Sequence, residues 1–411
     1  MTRREWQPVR LDSYCSKIGS GSTPRGGEQV YQAEGTALIR SQNVYNGQFT
    51  TDGLAFLGEE EATQLDGVTV EKGDVLLNIT GDSVARCCQV PESVLPARVN
   101  QHVAIIRAKP DEFDARFLKY FFISPFMQAT MLSFAGSGGT RKALTKEMIQ
   151  NFAVPKPALP IQEKIGDVLS AYDESIENNL RRMELLEQAA RLLYQEWFVR
   201  LRFPGHEHTR ITKGIPQGWE RKPLAELCKS VNYGYTASAD KEVVGPKFLR
   251  ITDIVPDHID WSAVPHCPIE DERLDKFRLR EGDIVIARTG ATVGYAKRLH
   301  KRHPDAVFAS YLVRLRLKPE VNNLMVGVFV ESAEYKGYIQ SRVGGAAQPN
   351  ANAKVLAGAE ILVPPPRIQR DFHEIAEPLI DQREILEIQK QKLRTARDLL
   401  LPRLMNGEIA V

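Results

Sequence analysis

Three runs in this sequence carry residue types that could do chemistry. Gly136-Ser137-Gly138-Gly139-Thr140-Arg141-Lys142 has the glycines and the basic end of a loop that wraps phosphate in backbone N–H groups. Its spacing is wrong for that task, and no strand leads into a Lys-Ser or Lys-Thr pair. Glu334-Tyr335-Lys336 is a nuclease-like Glu-x-Lys, but it lies in a helical pattern and reads as a surface pair. His206 and His208 stand two apart, without the cysteines or acidic residues that would complete a metal-ligand set. Serines and histidines occur without the setting of a nucleophile elbow, and the Asn-Pro-Pro-aromatic tetrad of an amino-methyltransferase is missing. Nothing in the chain looks built to make or break bonds. Its chemistry is expected to be recognition, with no metal and no cofactor of its own.

The bulk numbers bound the class. With 411 residues and 43% hydrophobic content the chain can bury more than one core, so two or three domains are expected. No stretch approaches the roughly 18 apolar residues of a membrane span, and Met1 to Arg10 lacks an apolar signal core; a cytoplasmic protein is expected. The five cysteines Cys15, Cys87, Cys88, Cys228 and Cys267 show no Cys-x-x-Cys pair and read as reduced and mostly buried. The net charge of +2 conceals basic runs at Arg141-Lys142, Arg181-Arg182, Arg298 to Arg302 and Arg314-Leu315-Arg316. Such runs permit a polyanionic partner without requiring one.

Two amphipathic stretches organise the chain. From about Ile161 to Phe203, Ile165, Leu169, Tyr172, Ile176, Leu180, Met183, Leu186, Ala190, Leu193 and Trp197 recur at steps of three or four. From about Ile368 to Leu404 the steps alternate strictly through Ile368, Phe372, Ile375, Leu379, Gln382, Leu386, Gln389, Leu393, Ala396 and Leu400. This is a heptad seam, which predicts two supercoiled helices pairing antiparallel. At about 1.5 Å per residue, some forty residues make a rod of roughly 60 Å. Pro378 falls inside the second pattern and either kinks the helix or marks its start.

The two halves also repeat. A shift of about 209 residues lays Gly73-Asp74 on Gly282-Asp283, Thr80-Gly81 on Thr289-Gly290, Lys109-Pro110 on Lys318-Pro319 and Val154-Pro155 on Val363-Pro364. A period this long means duplicated domains. Each copy reads as strands, a helical pattern (Ala115 to Thr130, Leu324 to Arg342), a polar loop and a proline-rich joint into a rod. Strands are expected at Ala37 to Arg40, Val75 to Ile79 and Val103 to Arg107, with equivalents at Phe248 to Ile251, Ile284 to Ala287 and Leu312 to Leu317. The expected boundaries are 1–157 for the first domain, 158–203 for a central helix, 204–216 for a linker, 217–365 for the second domain and 366–411 for a C-terminal helix.

On this repeat the layout resembles the specificity subunit of a type I restriction-modification system, over nearly the whole chain. The carriers are Gln195-Glu196-Trp197-Phe198-Val199 with Phe203-Pro204, Ile215-Pro216-Gln217-Gly218-Trp219, Ala287 to Gly294, and Leu400 to Ile409. The resemblance implies an α/β (α+β) chain: two mixed α/β target-recognition domains in tandem, two long helices forming an antiparallel coiled coil, and an internal pseudo-twofold. It further implies that each domain reads one half of a bipartite, asymmetric site on double-stranded DNA, with the helices setting the gap. Readers on one face of B-DNA want centres roughly 34 to 36 Å apart, a span such rods can hold. Two methyltransferase subunits and restriction/translocase subunits would be the partners, holding S-adenosylmethionine, ATP and Mg2+. Two other readings stay open: a stand-alone DNA-modifying enzyme with unrecognised motifs, and a coiled-coil scaffold that does not bind DNA.

If the domains read DNA, polar loops between strands are where base edges and phosphates would be met. In the first copy these offer Ser22 to Gly26 with Arg25, Arg40-Ser41-Gln42-Asn43, Asn78 with Thr80, and Ser137 to Lys142 with Arg141 and Lys142. In the second they offer Asn232, Tyr233, Tyr235, Arg250, Thr252, Asp253, Arg288, Thr289, Asn350, Asn352 and Lys354. Because the loop residues differ between copies, the two half-sites should differ. Tyr194, Trp197 and Phe198 make an apolar patch at the end of the first rod, which either fills a core or docks a methyltransferase subunit.

Overall fold

The structure, a computed structural model, describes residues 6–136, 142–256, 258–343 and 349–411. It divides into two units, one of residues 1–179 with 389–411 and one of residues 180–388.

In unit 1 the frame is an antiparallel sheet of four strands in the order Cys87–Gln89, Val75–Asn78, Val103–Ala108 and Cys15–Ser20. The two central strands are apolar and buried on both faces. Val75, Leu77, Ala104 and Ile106 join a core with the helices, while Leu76, Val103 and Ile105 point into a second core on the other side. That second core is shared with a five-stranded sheet in which Thr36–Ile39 and Ala97–Val99 run parallel.

Unit 2 repeats the frame. Its four-stranded sheet runs Cys228–Tyr233, Leu312–Leu317, Ile284–Ala287 and Ala296–Arg298, and Lys247–Leu249 pairs parallel with Ala306–Phe308. Ile284, Ile286, Val313 and Leu315 face one core, and Val285, Ala287 and Leu312 face the other. The predicted central strands are present in both copies. The predicted single helical stretch is two helices in each: Ala115–Ile123 then Pro125–Gly136, and Asn323–Glu331 then Ala333–Val343. A serine sits at each break. Ser332 Oγ accepts from the Tyr335 N–H at 3.2 Å, and Pro125 bars Ser124 from helical geometry.

The first long helix spans Leu159–Tyr194 and passes into a π-helical turn at Gln195–Val199; the second spans Pro366–Met405. Pro378 lies within the second helix, so the helix does not start there. Within each unit the helix segments run antiparallel. In unit 1, Ile165 and Leu169 share a core with Leu401 and Leu404, and Asp173 pairs with Arg397 at 2.7 Å. In unit 2, Glu187 pairs with Arg383 at 3.5 Å, and Trp197 packs on Phe372.

The expected seam holds for the first helix at Ile165, Leu169, Ile176, Met183, Ala190 and Trp197, all buried. On the second helix it holds at Ile368, Phe372 and Leu386, all buried, and is displaced by one position at Ile375, Gln382 and Gln389. Ala376, Arg383, Glu387 and Lys390 are buried, whereas Ile375 is 50% exposed and Gln382 and Gln389 face out. Apolar letters mislead here because long charged side chains bury their stems when their heads are paired, as Arg383 is with Glu187 and Glu384.

Candidate nucleic-acid interface

The candidate loops of unit 1 gather at one end of the sheet because backbone hydrogen bonds tie them together. Ser22 N–H donates to Val99 O at 3.0 Å, Ile79 N–H to His102 O at 3.0 Å, Asn100 N–H to Ile39 O at 3.0 Å and Gly81 N–H to Lys142 O at 3.1 Å. Gly21 permits this convergence: a Cβ there would lie 1.9 Å from Val99 O. Gly234 does the same in unit 2, where a Cβ would lie 2.2 Å from Ala309 O.

Of the predicted residues in unit 1, Gln42, Arg25 and Lys142 are exposed and Ser41 and Thr80 half-buried. Arg40, Asn43 and Asn78 have other work. Arg40 N–H donates to Asn43 Oδ1 at 3.0 Å, and Asn43 Nδ2 donates to Thr50 O, which closes a 3-10 turn at Ser41–Asn43. Arg40 Nη2 donates to Gly53 O at 2.6 Å. Asn78, fully buried, donates to Ser41 O at 2.8 Å and holds that turn against the sheet. For Asn43 and Asn78, burial corrects the expectation of a base-facing role. Ser137 to Arg141 lie outside the described residues.

The structure adds two side chains that sequence reasoning did not single out, Gln101 and His102, and joins them to Thr23 of the expected Ser22–Gly26 loop. Thr23 is hydrogen-bonded to Gln101, Gln101 Nε2 lies 3.1 Å from His102 Nε2, and His102 Nδ1 lies 2.7 Å from Thr80 Oγ1. The strand of Val103 was legible, but the residues just before it gained meaning only once that strand's end met the other loops.

In unit 2 the equivalent cluster is aromatic. The Arg288 guanidinium stacks 4.8 Å from the Tyr233 ring centre, and Tyr233 Oη accepts from Ala353 N–H at 3.0 Å. Arg288 N–H donates to Tyr311 O, and Ala351 N–H to Arg288 O at 2.8 Å. Thr289 bridges Asn350 in antiparallel fashion. Tyr311, 61% exposed and unanticipated, stands where His102 stands in unit 1. Thr252, Asn350 and Lys354 are exposed, as is Asn352, whose side chain caps Ala353–Leu356 by accepting from Val355 N–H at 2.9 Å.

Arg250 and Asp253 repeat the turn of Arg40 and Asn43. Arg250 N–H donates to Asp253 Oδ2 at 2.8 Å, its Nη2 donates to Oδ1 at 2.9 Å, and these bonds push the guanidinium pKa up. Asp253 is a cap, its carboxylate accepting from the Arg250 backbone N–H and from both ends of the guanidinium fork. Tyr235 packs its ring 5.2 Å from Phe277. Arg314, from the basic run, is buried, and Asn232 accepts from its Nη2 at 3.0 Å. Burial lowers its pKa to about 10.

Tyr194, Trp197 and Phe198 are only 5%, 6% and 6% exposed. Phe198 lies 4.9 Å from Phe372 and 5.9 Å from Trp219, ring centre to ring centre. These rings fill the core of unit 2, so the docking-face alternative gives way to core filling.

Among the described residues one group has metal-ligand types, His300, Glu377 and Asp381. Asp381 already accepts from Lys301 Nζ at 2.8 Å and sits 2.8 Å from His300 Nε2, while Arg298 neutralises Glu377 at 3.2 Å. The arrangement is an ion network joining the loop after Ala296–Arg298 to the second long helix.

These paired sheets with converging loops form a duplicated module, and similarity to known proteins gives its class. The chain matches the type I restriction modification DNA specificity domain twice, at residues 3–188 and 216–395, and it belongs to that family. It is 25% identical over 436 residues to the type I restriction enzyme MjaIX specificity subunit of Methanocaldococcus jannaschii, covering 99% of this chain and 94% of that protein. It is 20% identical to the HindI specificity subunit of Haemophilus influenzae, covering 83% and 87%. Its fold matches the crystal structure of a type I restriction-modification S subunit from M. genitalium with a TM-score of 0.64 at 15% identity, over 97% and 96% of the two chains.

Proposed function

We propose that this chain is the DNA-reading subunit of a type I restriction-modification complex, each unit contacting one half of a bipartite, asymmetric site on double-stranded DNA. Two methyltransferase subunits and restriction/translocase subunits would act at the site it selects, and they would hold the S-adenosylmethionine, ATP and Mg2+. The observation that carries this reading is a repeated frame with unlike tips. The same strand ends present Gln101-His102 in unit 1 and Ser310-Tyr311 in unit 2. Two different half-sites are what such a pair would read. Each long helix runs through both units, which suits it to setting the gap between half-sites.

Single-molecule methylome sequencing of host DNA, with the gene intact and deleted and the methyltransferase gene left in place, tests the proposal. Loss of one bipartite methylated motif on deletion is expected. An unchanged methylome would sink it and favour a scaffold. Inserting residues into either long helix should change the tolerated gap more than the half-sites.

A further inference from the structure

Thr23, Gln101, His102 and Thr80 are linked side chain to side chain across three loops of unit 1. Hydrogen-bond chemistry gives this chain a direction. The amide oxygen Oε1 of Gln101 carries no hydrogen, so in its bond with Thr23 the hydroxyl donates. The other end of that amide, Nε2, only donates, and it faces His102 Nε2 at 3.1 Å. That ring nitrogen must therefore be bare. A neutral imidazole then carries its proton on Nδ1, which donates to Thr80 Oγ1 at 2.7 Å. Among the described residues no acceptor takes the hydroxyl hydrogen of Thr80, which leaves it available to a bound partner.

The backbone holds the relay in place. Asn100 Oδ1 accepts from His102 N–H at 3.1 Å, Ile79 N–H donates to His102 O, and Gly81 N–H donates to Lys142 O. In unit 2 the positions of Gln101 and His102 are held by Ser310 and Tyr311, which cannot form the same chain.

We infer that this relay fixes Thr80 as a hydrogen-bond donor toward DNA, so that Thr80 determines specificity for an acceptor atom in the half-site read by unit 1. Gln101 and His102 are its positioning residues. The inference rests on the DNA-reading function proposed above. The acceptor is either a base-edge atom, such as a purine N7 or a thymine O4, or a phosphate oxygen.

Two measurements on the full-length chain test it. In long-range 1H–15N spectra of 15N-histidine-labelled protein, His102, assigned by its loss in His102→Asn, is expected as the Nδ1–H tautomer. The Nε2–H tautomer would overturn the relay. The second measurement is selection of bound sequences from a random duplex library by wild type, Thr80→Val and Thr80→Ser. Thr80→Val should bind the wild-type motif about tenfold more weakly, and Thr80→Ser should restore binding.

If Thr80→Val flattens one position in one half of the motif, the acceptor is on a base. If it weakens binding with the motif intact, and one methylphosphonate linkage in that half abolishes the difference from wild type, the acceptor is a phosphate. Equal binding by wild type and Thr80→Val overturns the inference while leaving the DNA-reading function standing. Failure of wild type to enrich any duplex removes both.

Discussion

Arg316 grips Asp283 with two hydrogen bonds, Nε to Oδ1 at 2.8 Å and Nη2 to Oδ2 at 2.6 Å, and Asp283 is 1% exposed. In unit 1, Arg107 grips the fully buried Asp74 the same way, at 2.7 and 2.8 Å. Each aspartate also accepts the backbone N–H three residues before it, Arg280 at 2.8 Å and Glu71 at 2.7 Å. The pair closes the Gly-Asp turn that opens the central strand and locks it to the strand bearing the arginine. The loop cluster at the far end of these two strands inherits its geometry from that lock.

Removing one partner of such a pair strands a buried charge. Asp283→Ala is expected to destabilise unit 2 by about 3–5 kcal/mol, and Asp74→Ala to do the same to unit 1. Urea unfolding read separately for the two units checks this. A loss under about 1 kcal/mol would mean that water reaches the arginine.

Asp173 offers a pH test. It takes Tyr120 Oη at 2.6 Å, Lys119 Nζ at 3.2 Å and Arg397 Nη1 at 2.7 Å, and so joins three helices of unit 1. Burial would raise its pKa, but Lys119, Tyr120 and Arg397 together hold it below the ordinary 3.8. At Lys119 the balance reverses, and burial outweighs the aspartate and lowers the pKa. A depressed carboxylate stabilises the fold above its unfolded pKa and loses that contribution as pH falls through the folded value. The stability gap between wild type and Asp173→Asn should therefore be constant near neutrality and shrink below about pH 3.8. A gap that persisted under strong acid would contradict the assignment.

Much of the frame was legible because the repeat doubles every signal. The Gly-Asp turns and the runs Val75–Asn78 and Ile284–Ala287 stand at one offset, and apolar runs buried on both faces announce themselves. The second helix's seam was legible only in part: Ile368, Phe372 and Leu386 are buried as expected, but burial of Arg383 and Glu387 depends on ion partners rather than on hydrophobicity. Polar loop letters offered Thr80 and Arg288 as candidates, but they could not separate residues at the surface from the buried Asn43 and Asn78, whose Nδ2 groups donate to the backbone. A polar residue three positions after Arg40 and Arg250 was an available capping signal.

Gln369 reaches from the second long helix to Asn322. Its Oε1 accepts from Asn322 N–H at 3.0 Å and its Nε2 donates to Pro364 O at 2.9 Å; Gln162 does the same for Asp114 N–H and Pro157 O in unit 1. Gln369→Leu keeps the volume and leaves a donor and an acceptor unpaired. A loss of about 1–3 kcal/mol is expected in thermal or urea unfolding. Gln369→Glu should recover part of it, because a carboxylate still accepts from Asn322.

If unit 2 reads DNA as proposed, the turn at Arg250 separates holding from reading. Asp253 accepts the Arg250 N–H and both ends of its guanidinium fork, so Asp253→Ala removes a cap and should cost about 1 kcal/mol. Thr252, exposed on the same turn, has no such duty, and Thr252→Ala should leave stability within about 0.5 kcal/mol. Sequence selection from a random duplex library should show the reverse order. Thr252→Ala shifts preference in the half-site of unit 2 alone, whereas Asp253→Ala, compared at a temperature where it is folded, weakens binding with its preference intact. If Thr252→Ala selects the wild-type motif unchanged, the exposed hydroxyl of this turn is not a reader, and the base recognition proposed for unit 2 would fall to other residues of its loops, such as Arg288 and Tyr311.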